Sequence, residues 1–224
     1  MIKILEENEF FLILNKPAGT SVHNESPSLV EFLNKHKKPL HFVNRLDRET
    51  SGLVLVAKKP EIHDQLNDSL EEGQKLYRAL LRGPWKKPAK KTVWSAPLTD
   101  KAEGRKNPKG LAAGRIPCES HVTVARSNNY FTEVVVKLLT GRQHQIRKHA
   151  AIAGLPIVGD NRYNDKSYNE KIKDRFKAER MLLHAEVLEF EFNNKHYKFE
   201  NKLNLEPYFK VEAESKPVKK EKEA

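Results

Sequence analysis

The sequence predicts an α+β fold, and three observations carry that reading. Apolar segments of strand length and of helix length mix along the chain without a regular β-α-β alternation, which argues against a doubly wound parallel sheet. Two pairs of strand-like segments are joined by Asn128-Asn129 and Asn193-Asn194, residues that tight hairpin turns favour, so neighbouring strands are antiparallel. A length of 224 residues suffices for one domain with a full core or for two small ones, and no internal repeat divides it.

Phe10-Phe11-Leu12-Ile13-Leu14 reads as a buried strand, and Asn15-Lys16-Pro17-Ala18-Gly19 turns the chain out of it. Ser26-Pro27 opens a helix with Ser as cap and Pro in the first turn, its apolar face being Leu29, Val30, Phe32 and Leu33. Pro39 ends that segment. His41-Phe42-Val43 is a short strand, and Leu53-Val54-Leu55-Val56 is a buried one. Pro60 begins a second helix with Ile62, Leu66 and Leu70 on one face and Gly73 as its stop. Leu76 to Leu81 reads as a strand. The segments His121–Val124 and Phe131–Val136 alternate as a hairpin, and a helix following Gly141 turns Ile146, Ala150, Ile152 and Ala153 inward before Gly154-Leu155-Pro156 stops it. Lys166 to Arg180 is charged and helical in pattern, and strands around Val187–Phe192 and His196–Glu200 close the fold.

Lysine and arginine number 41 against 30 acidic residues, a net charge of +11, which points toward a polyanion and most often toward nucleic acid. Much of the excess lies in residues 83–115, rich in Pro, Gly and Lys. There Lys86, Lys87, Lys90, Lys91, Lys101, Arg105, Lys106, Lys109 and Arg115 face only Asp100 and Glu103. This stretch reads as one or two long loops around a short strand near Val93-Trp94, a candidate RNA contact. Cys118 is the sole cysteine, which excludes an internal disulfide, argues against a cysteine-based zinc site and suits a reducing cytosol. The first residues lack the apolar core of a signal peptide, and no apolar run reaches membrane-spanning length, so a cytoplasmic protein is expected. Residues 213–224 read as a disordered charged tail.

Two stretches carry chemistry. Asn44-Arg45-Leu46-Asp47-Arg48-Glu49-Thr50-Ser51-Gly52 sets a carboxylate between two arginines in a polar turn that breaks into the apolar run from Leu53. A buried strand thus anchors a loop whose cations can hold a carboxylate nucleophile. Gly141-Arg142-Gln143-His144-Gln145-Ile146-Arg147-Lys148-His149 places the donors Arg142, Gln145 and Arg147 with two histidines at the start of one helix, where free N–H groups attract phosphate. His144 and His149 are five apart, poor spacing for two ligands on one helical face, and no metal site is expected.

These stretches resemble the signature motifs of the RluA family of RNA pseudouridine synthases. Gly154-Leu155-Pro156-Ile157-Val158-Gly159-Asp160-Asn161-Arg162-Tyr163 continues the second motif. Asn15-Lys16-Pro17-Ala18-Gly19 with Val22-His23 is similar to the family's N-terminal motif, Lys75-Leu76-Tyr77 to its Lys-x-Tyr strand, and Leu183-His184-Ala185 to a late motif. The matches keep the family's order from Asn15 to about Phe192. The resemblance implies a single catalytic domain over residues 1–212, with a mixed, largely antiparallel central sheet flanked by helices and long loops. It implies Asp47 as the catalytic aspartate, Tyr77 as the tyrosine against the uracil, and Arg147 as the partner of the aspartate. Arg45 would enter the RNA stack as the target uridine leaves it, and Arg142, His144, Gln145 and Lys16 would join it in binding substrate.

The implied reaction exchanges no electrons or external groups, so it requires no redox cofactor, nucleotide or metal. The implied partner is ribosomal RNA, transfer RNA or both, with no membrane or DNA, and the protein is expected to act as a monomer. The family usually has His where this chain has Asn44, which can hydrogen-bond but cannot protonate. The chain starts almost at the first catalytic strand, so no S4-type RNA-binding domain is expected before it, and recognition is expected to come from the catalytic domain and its basic loop. Two other classes compete. An RNA-binding assembly factor would have lost catalysis, and a hydrolase would need a second carboxylate beside Asp47.

Overall fold

A computed structural model describes residues 1–23 and 25–210. The expected disordered tail, 213–224, lies outside the described residues. The twelve strands found there are β1 (Lys3–Glu7), β2 (Phe11–Lys16), β3 (His41–Phe42), β4 (Ser51–Ala57), β5 (Gln74–Arg82), β6 (Lys91–Trp94), β7 (Leu98–Thr99), β8 (Arg115–Ile116), β9 (Ser120–Ser127), β10 (Phe131–Leu138), β11 (Leu183–Phe192) and β12 (Lys195–Glu200). The α-helices are α1 (Leu29–Lys35), α2 (His63–Glu72), α3 (Gln145–Ile152), α4 (Lys166–Phe176) and α5 (Pro207–Lys210).

Ten strands form one sheet in the order β1-β2-β4-β11-β5-β10-β9-β6, with β12 on β11 and β3 on β4, while β7 and β8 pair apart. Every pairing is antiparallel except β4 with β11, so the sheet is mixed and largely antiparallel, as an α+β fold requires. Helices cover both faces. Leu53 and Leu55 of β4 meet Leu66 and Leu70 of α2 on one side, while Val54 and Val56 join Leu29 and Leu33 of α1, Tyr77 of β5 and Ile146 of α3 on the other. This two-sided burial explains why β4 reads as a continuous apolar run with no polar alternation.

Gly52 permits the parallel junction. Its φ is +122°, and a Cβ there would meet the Ala185 carbonyl oxygen at 2.2 Å. Only a residue without a side chain lets β4 approach β11 so closely.

The structure adds β7, β8 and α5, which the sequence pattern does not predict, and departs from that pattern at three further places. β1 was not expected; it adds an edge to β2, and Ile2 and Ile4 pack on the core. The cap of α1 is Ser28, not Ser26. The Ser28 hydroxyl accepts from the Glu31 N–H and the Glu31 carboxylate accepts from the Ser28 N–H, a reciprocal box that starts the helix after Pro27. Helix α3 begins at Gln145, later than the motif suggests, and Gln145 through Ala150 are all buried, while Ile152 is half-buried and Ala153 exposed. Its polar side chains lie inside because each finds an internal partner. Gln145 donates to the Glu119 carbonyl and Ser120 Oγ, Lys148 donates to the Thr99 carbonyl, and His149 sits between the Ala96 carbonyl and Ser120 Oγ.

Among the described residues no helix is long and apolar enough to cross a membrane.

Candidate active site

The loop after β3 is fixed from below before it presents any chemistry. Asn44 Oδ1 accepts from the Leu55 N–H at 2.7 Å and its Nδ2 donates to the Leu53 carbonyl at 3.3 Å. Asn44 therefore staples the loop to β4, a structural place for the residue that departs from the family pattern. The Gly19 N–H donates to the Arg48 carbonyl, and the Thr50 N–H closes a turn on the Asp47 carbonyl. Lys16 completes the support. Its side chain is wholly buried, and its ammonium donates to the carbonyls of Thr20 (2.7 Å), Arg48 (3.1 Å) and Pro17 (3.2 Å). Burial lowers its pKa to about 8, with the Asp47 and Glu49 charges opposing. With its three protons so engaged, Lys16 braces the Asp47 loop from beneath.

Above this support, three distant segments converge. Arg147 of α3 points Nη1 at Asp47 Oδ2, 3.1 Å away, and at Glu49 Oε2, 3.3 Å away. Its other donors are taken. Nε and Nη2 bind the two oxygens of Asp160 at 2.8 and 3.0 Å, and Asp160 is fully buried in the turn after Gly159. The N–H groups of Arg162 and Tyr163 also donate to Asp160. Burial works against the Arg147 charge, but Asp160 and then Asp47 outweigh it and hold its pKa above the ordinary arginine value. The result is a guanidinium clamped on one edge with one nitrogen left to aim at Asp47.

Tyr77 comes from β5, on the same sheet face as Ile146 and Leu46. Burial, and secondarily the nearby Asp47 carboxylate, push its hydroxyl well above the usual tyrosine range, so it is neutral at any working pH. His144 caps α3 in the left-handed conformation with φ of 57°. Its Nε2 lies 3.8 Å from Asp47 Oδ2 and its Nδ1 3.0 Å from the Tyr163 hydroxyl. Arg45 projects from the exposed side of the loop, near enough to His23 to lower that imidazole's pKa after burial has done most of it.

Other expected donors lie differently. Gln145 is buried, its Oε1 accepting from Thr140 Oγ1 and the Arg142 N–H. From within the core it orders the helix start. Arg142 precedes the helix, half-buried, with its Nε buried and unpartnered among the described residues. The Gln143 N–H, where a phosphate was expected to dock, instead donates to the Asp100 carboxylate at 2.7 Å. An internal anion thus occupies the turn that leads into the helix.

Asp160, Tyr163 and Glu49 show no role in the sequence alone. The first two stand in the stretch from Gly154 to Tyr163, yet only the packing of its turn under α3 reveals what they hold. Among the described residues no group of three or more His, Cys, Asp or Glu side chains is arranged to hold a metal.

The basic stretch divides in two. Residues 99–110 fold against the site, with Arg162 donating to the Ala102 carbonyl and Arg105 paired with Asp165. The lysines from Lys86 to Lys91 lie instead along the distal half of β9, with Lys91 opposite Thr123, the Val124 N–H on the Lys90 carbonyl and the Trp85 N–H on Ser127 Oγ. Ser120, bonded to Gln145, and Ser127 stand at opposite ends of β9, roughly 20 Å apart at the rise of an extended strand.

Comparison with known proteins identifies the family. Residues 10–152 match the RNA pseudouridylate synthase family. Ribosomal large subunit pseudouridine synthase C of Buchnera aphidicola subsp. Baizongia pistaciae is 38% identical over 202 residues, covering 84% of this chain and 62% of its own length. The Escherichia coli K12 protein of the same name is 37% identical over 198 residues, covering 84% and 61%. The chain thus spans about three fifths of the length of these curated relatives. Human RNA pseudouridylate synthase domain containing 1 shares the fold, with a TM-score of 0.72 at 22% identity over 97% of this chain and 96% of its own. Human domain containing 4 does so with a TM-score of 0.73 at 21% identity over 93% and 91%. On the family match and the identity to these relatives, the chain belongs to the RNA pseudouridylate synthase family, in keeping with its RluA-like motifs.

Proposed function

We propose that this protein isomerises uridine to pseudouridine in RNA, with Asp47 as nucleophile and no cofactor. The observation that carries the reading is the convergence of Asp47, Tyr77 and Arg147, from a loop, a strand and a helix, around one carboxylate. The described residues act in it as one catalytic domain. Relatives named for the large ribosomal subunit favour ribosomal RNA as substrate, with transfer RNA as the alternative.

The reaction balances within the nucleotide. Attack of the Asp47 carboxylate on C1′ releases uracil with the electron pair of N1. The uracil rotates, C5 bonds to C1′ and expels the carboxylate, C5 gives up its proton to solvent and N1 gains one. Attack at C6 instead leads to the same exchange. Arg147 limits the rotamers of Asp47 and balances its charge. Tyr77 offers a flat, neutral face on which the detached base can stay. Turning the uridine out costs a few kcal/mol, and Arg45, on the exposed side of the loop, offsets part of that by filling the gap. RNA would lie across the loop region that includes Lys101, Arg105 and Lys106, with Lys86 to Lys91 extending the contact.

RNA labelled with tritium at uracil C5 tests this. Isomerisation releases tritium to water and leaves pseudouridine in the RNA. Bound RNA with no tritium released would make the protein a binding factor. Free uracil would favour a hydrolase, for which Glu49 on the same guanidinium nitrogen is the second carboxylate.

A further inference from the structure

The proposed chemistry uses Asp47, Tyr77 and Arg147 and leaves a buried pair unexplained. Tyr163 is almost completely buried, and its hydroxyl meets His144 Nδ1 at 3.0 Å with the rings edge to face, 5.7 Å between centres. The guanidinium of Arg147 sits over the Tyr163 ring at 5.4 Å. On its other side the imidazole turns Nε2 toward Asp47 Oδ2, the same oxygen that Arg147 contacts.

We infer that Tyr163 is a positioning residue that holds His144 as its Nε2–H tautomer, so that His144 and Arg147 both address Oδ2 of Asp47 and leave Oδ1 as the oxygen that attacks. The inference rests on the proposed function for its catalytic meaning but not for its geometry.

A neutral imidazole carries one N–H and one lone pair, and its surroundings select which nitrogen has which. Were Nδ1 to donate to Tyr163, the Nε2 lone pair would face a carboxylate oxygen, and the two would repel. With Tyr163 donating to Nδ1, the Nε2 proton faces that oxygen and the two attract. Tyr163 has the proton to give, since burial above all keeps its hydroxyl from ionising. His144 is the neutral acceptor this needs. Burial lowers its pKa, Asp47 opposes, Arg147 and Arg162 lower it further, and Asp160 opposes. The 3.8 Å gap to Oδ2 is longer than a hydrogen bond, as catalytic contacts often are before substrate arrives.

The helix cap supplies a further reason. His144 holds a left-handed backbone that a non-glycine residue adopts at a cost, and that conformation places its ring between Asp47 and Tyr163. The arrangement also gives Asp160 a double use. It aims Arg147 with its carboxylate, and it accepts from the Tyr163 N–H, which sets the ring beneath that same arginine.

The test joins spectroscopy of the full chain with single-turnover kinetics. Nitrogen-15 NMR at neutral pH, without RNA, should find His144 Nδ1 bare and Nε2 protonated in the wild type, and a mixture of tautomers in Tyr163→Phe. Loss of this one hydrogen bond should lower the single-turnover rate of Tyr163→Phe about tenfold, with RNA affinity unchanged. His144→Gln, whose amide N–H can stand where Nε2–H stood, should keep more of the rate than His144→Leu. A protonated Nδ1 in the wild type overturns the inference, and so does a Tyr163→Phe enzyme with wild-type tautomer and rate. A wild type that releases no tritium from RNA would defeat the proposed function, while the NMR result would still decide the tautomer.

Discussion

Replacing Asp160 by Asn removes one negative charge from a site with no access to water. The Asp160 side chain is wholly buried, and that of Arg147 is 3% exposed. Between them run two hydrogen bonds of 2.8 and 3.0 Å, and Asp160 also accepts from the Arg162 and Tyr163 N–H groups. Asn keeps the shape but leaves the guanidinium buried beside only the partly exposed Asp47 and Glu49. Breaking a buried pair by removing one partner costs about 3 to 5 kcal/mol, and the carbonyl that Asn retains puts the expected loss near 3 kcal/mol. A domain of ordinary stability survives that. With Arg147 no longer clamped, its Nη1 loses aim at Asp47, and a displacement of about 1 Å costs about a hundredfold in rate. Urea denaturation and single-turnover tritium release measure the two effects, and RNA affinity should stay constant. The double variant Asp160→Asn with Arg147→Gln should be less destabilised than the two single losses added together, because it leaves no unpaired buried charge. Strict additivity, or wild-type turnover in Asp160→Asn, would refute the clamp.

Two further outcomes follow from the same structure. His184 is buried, its Nε2–H donating to the Asn201 carbonyl and its Nδ1 beside Ser51 Oγ, each at 2.7 Å. Burial is the main cause that takes its pKa down to about 4. An unfolded chain, with histidine near 6.5, binds the extra proton first, so stability is fully present above about pH 6.5 and is lost as pH falls toward about 4, by about 3 kcal/mol. Denaturation midpoints across that window should fall in the wild type and fall less in His184→Gln; parallel curves would contradict the assignment. Neutralising Lys86, Lys87, Lys90 and Lys91 together should weaken RNA binding and flatten its salt dependence, by about 0.7 in slope for each phosphate these lysines neutralise. Single-turnover rate at saturating RNA should hold, since these lysines stand far from Asp47, and an unchanged slope would remove them from the interface.

Much of the fold was legible because each signal was local. The turns at Asn193 and Asn194, both at positive φ, need only the two residues that make them. β4 announces its burial through four consecutive aliphatic residues. The Asp47 loop is legible for the same reason, its carboxylate, arginines and anchoring strand being adjacent in sequence. What escaped depends on packing between segments. Helix α3 has the composition of a half-solvated helix and is buried from Gln145 to Ala150, because Ser120, Thr99 and Ala96 from elsewhere in the chain satisfy its polar groups. Lys16 reads as a cation available to RNA, and only folding shows three carbonyls closing around it. Asp160 looks like a turn aspartate until Arg147 is seen to depend on it.

The most direct test is Asp47→Asn, assayed for tritium release from uracil-C5-labelled RNA alongside RNA binding by the same preparation. Asn fills the same space and removes only the charged nucleophile. Isomerisation should vanish while the affinity for RNA stays close to wild type. Pseudouridine formed at the normal rate by that variant would contradict the account.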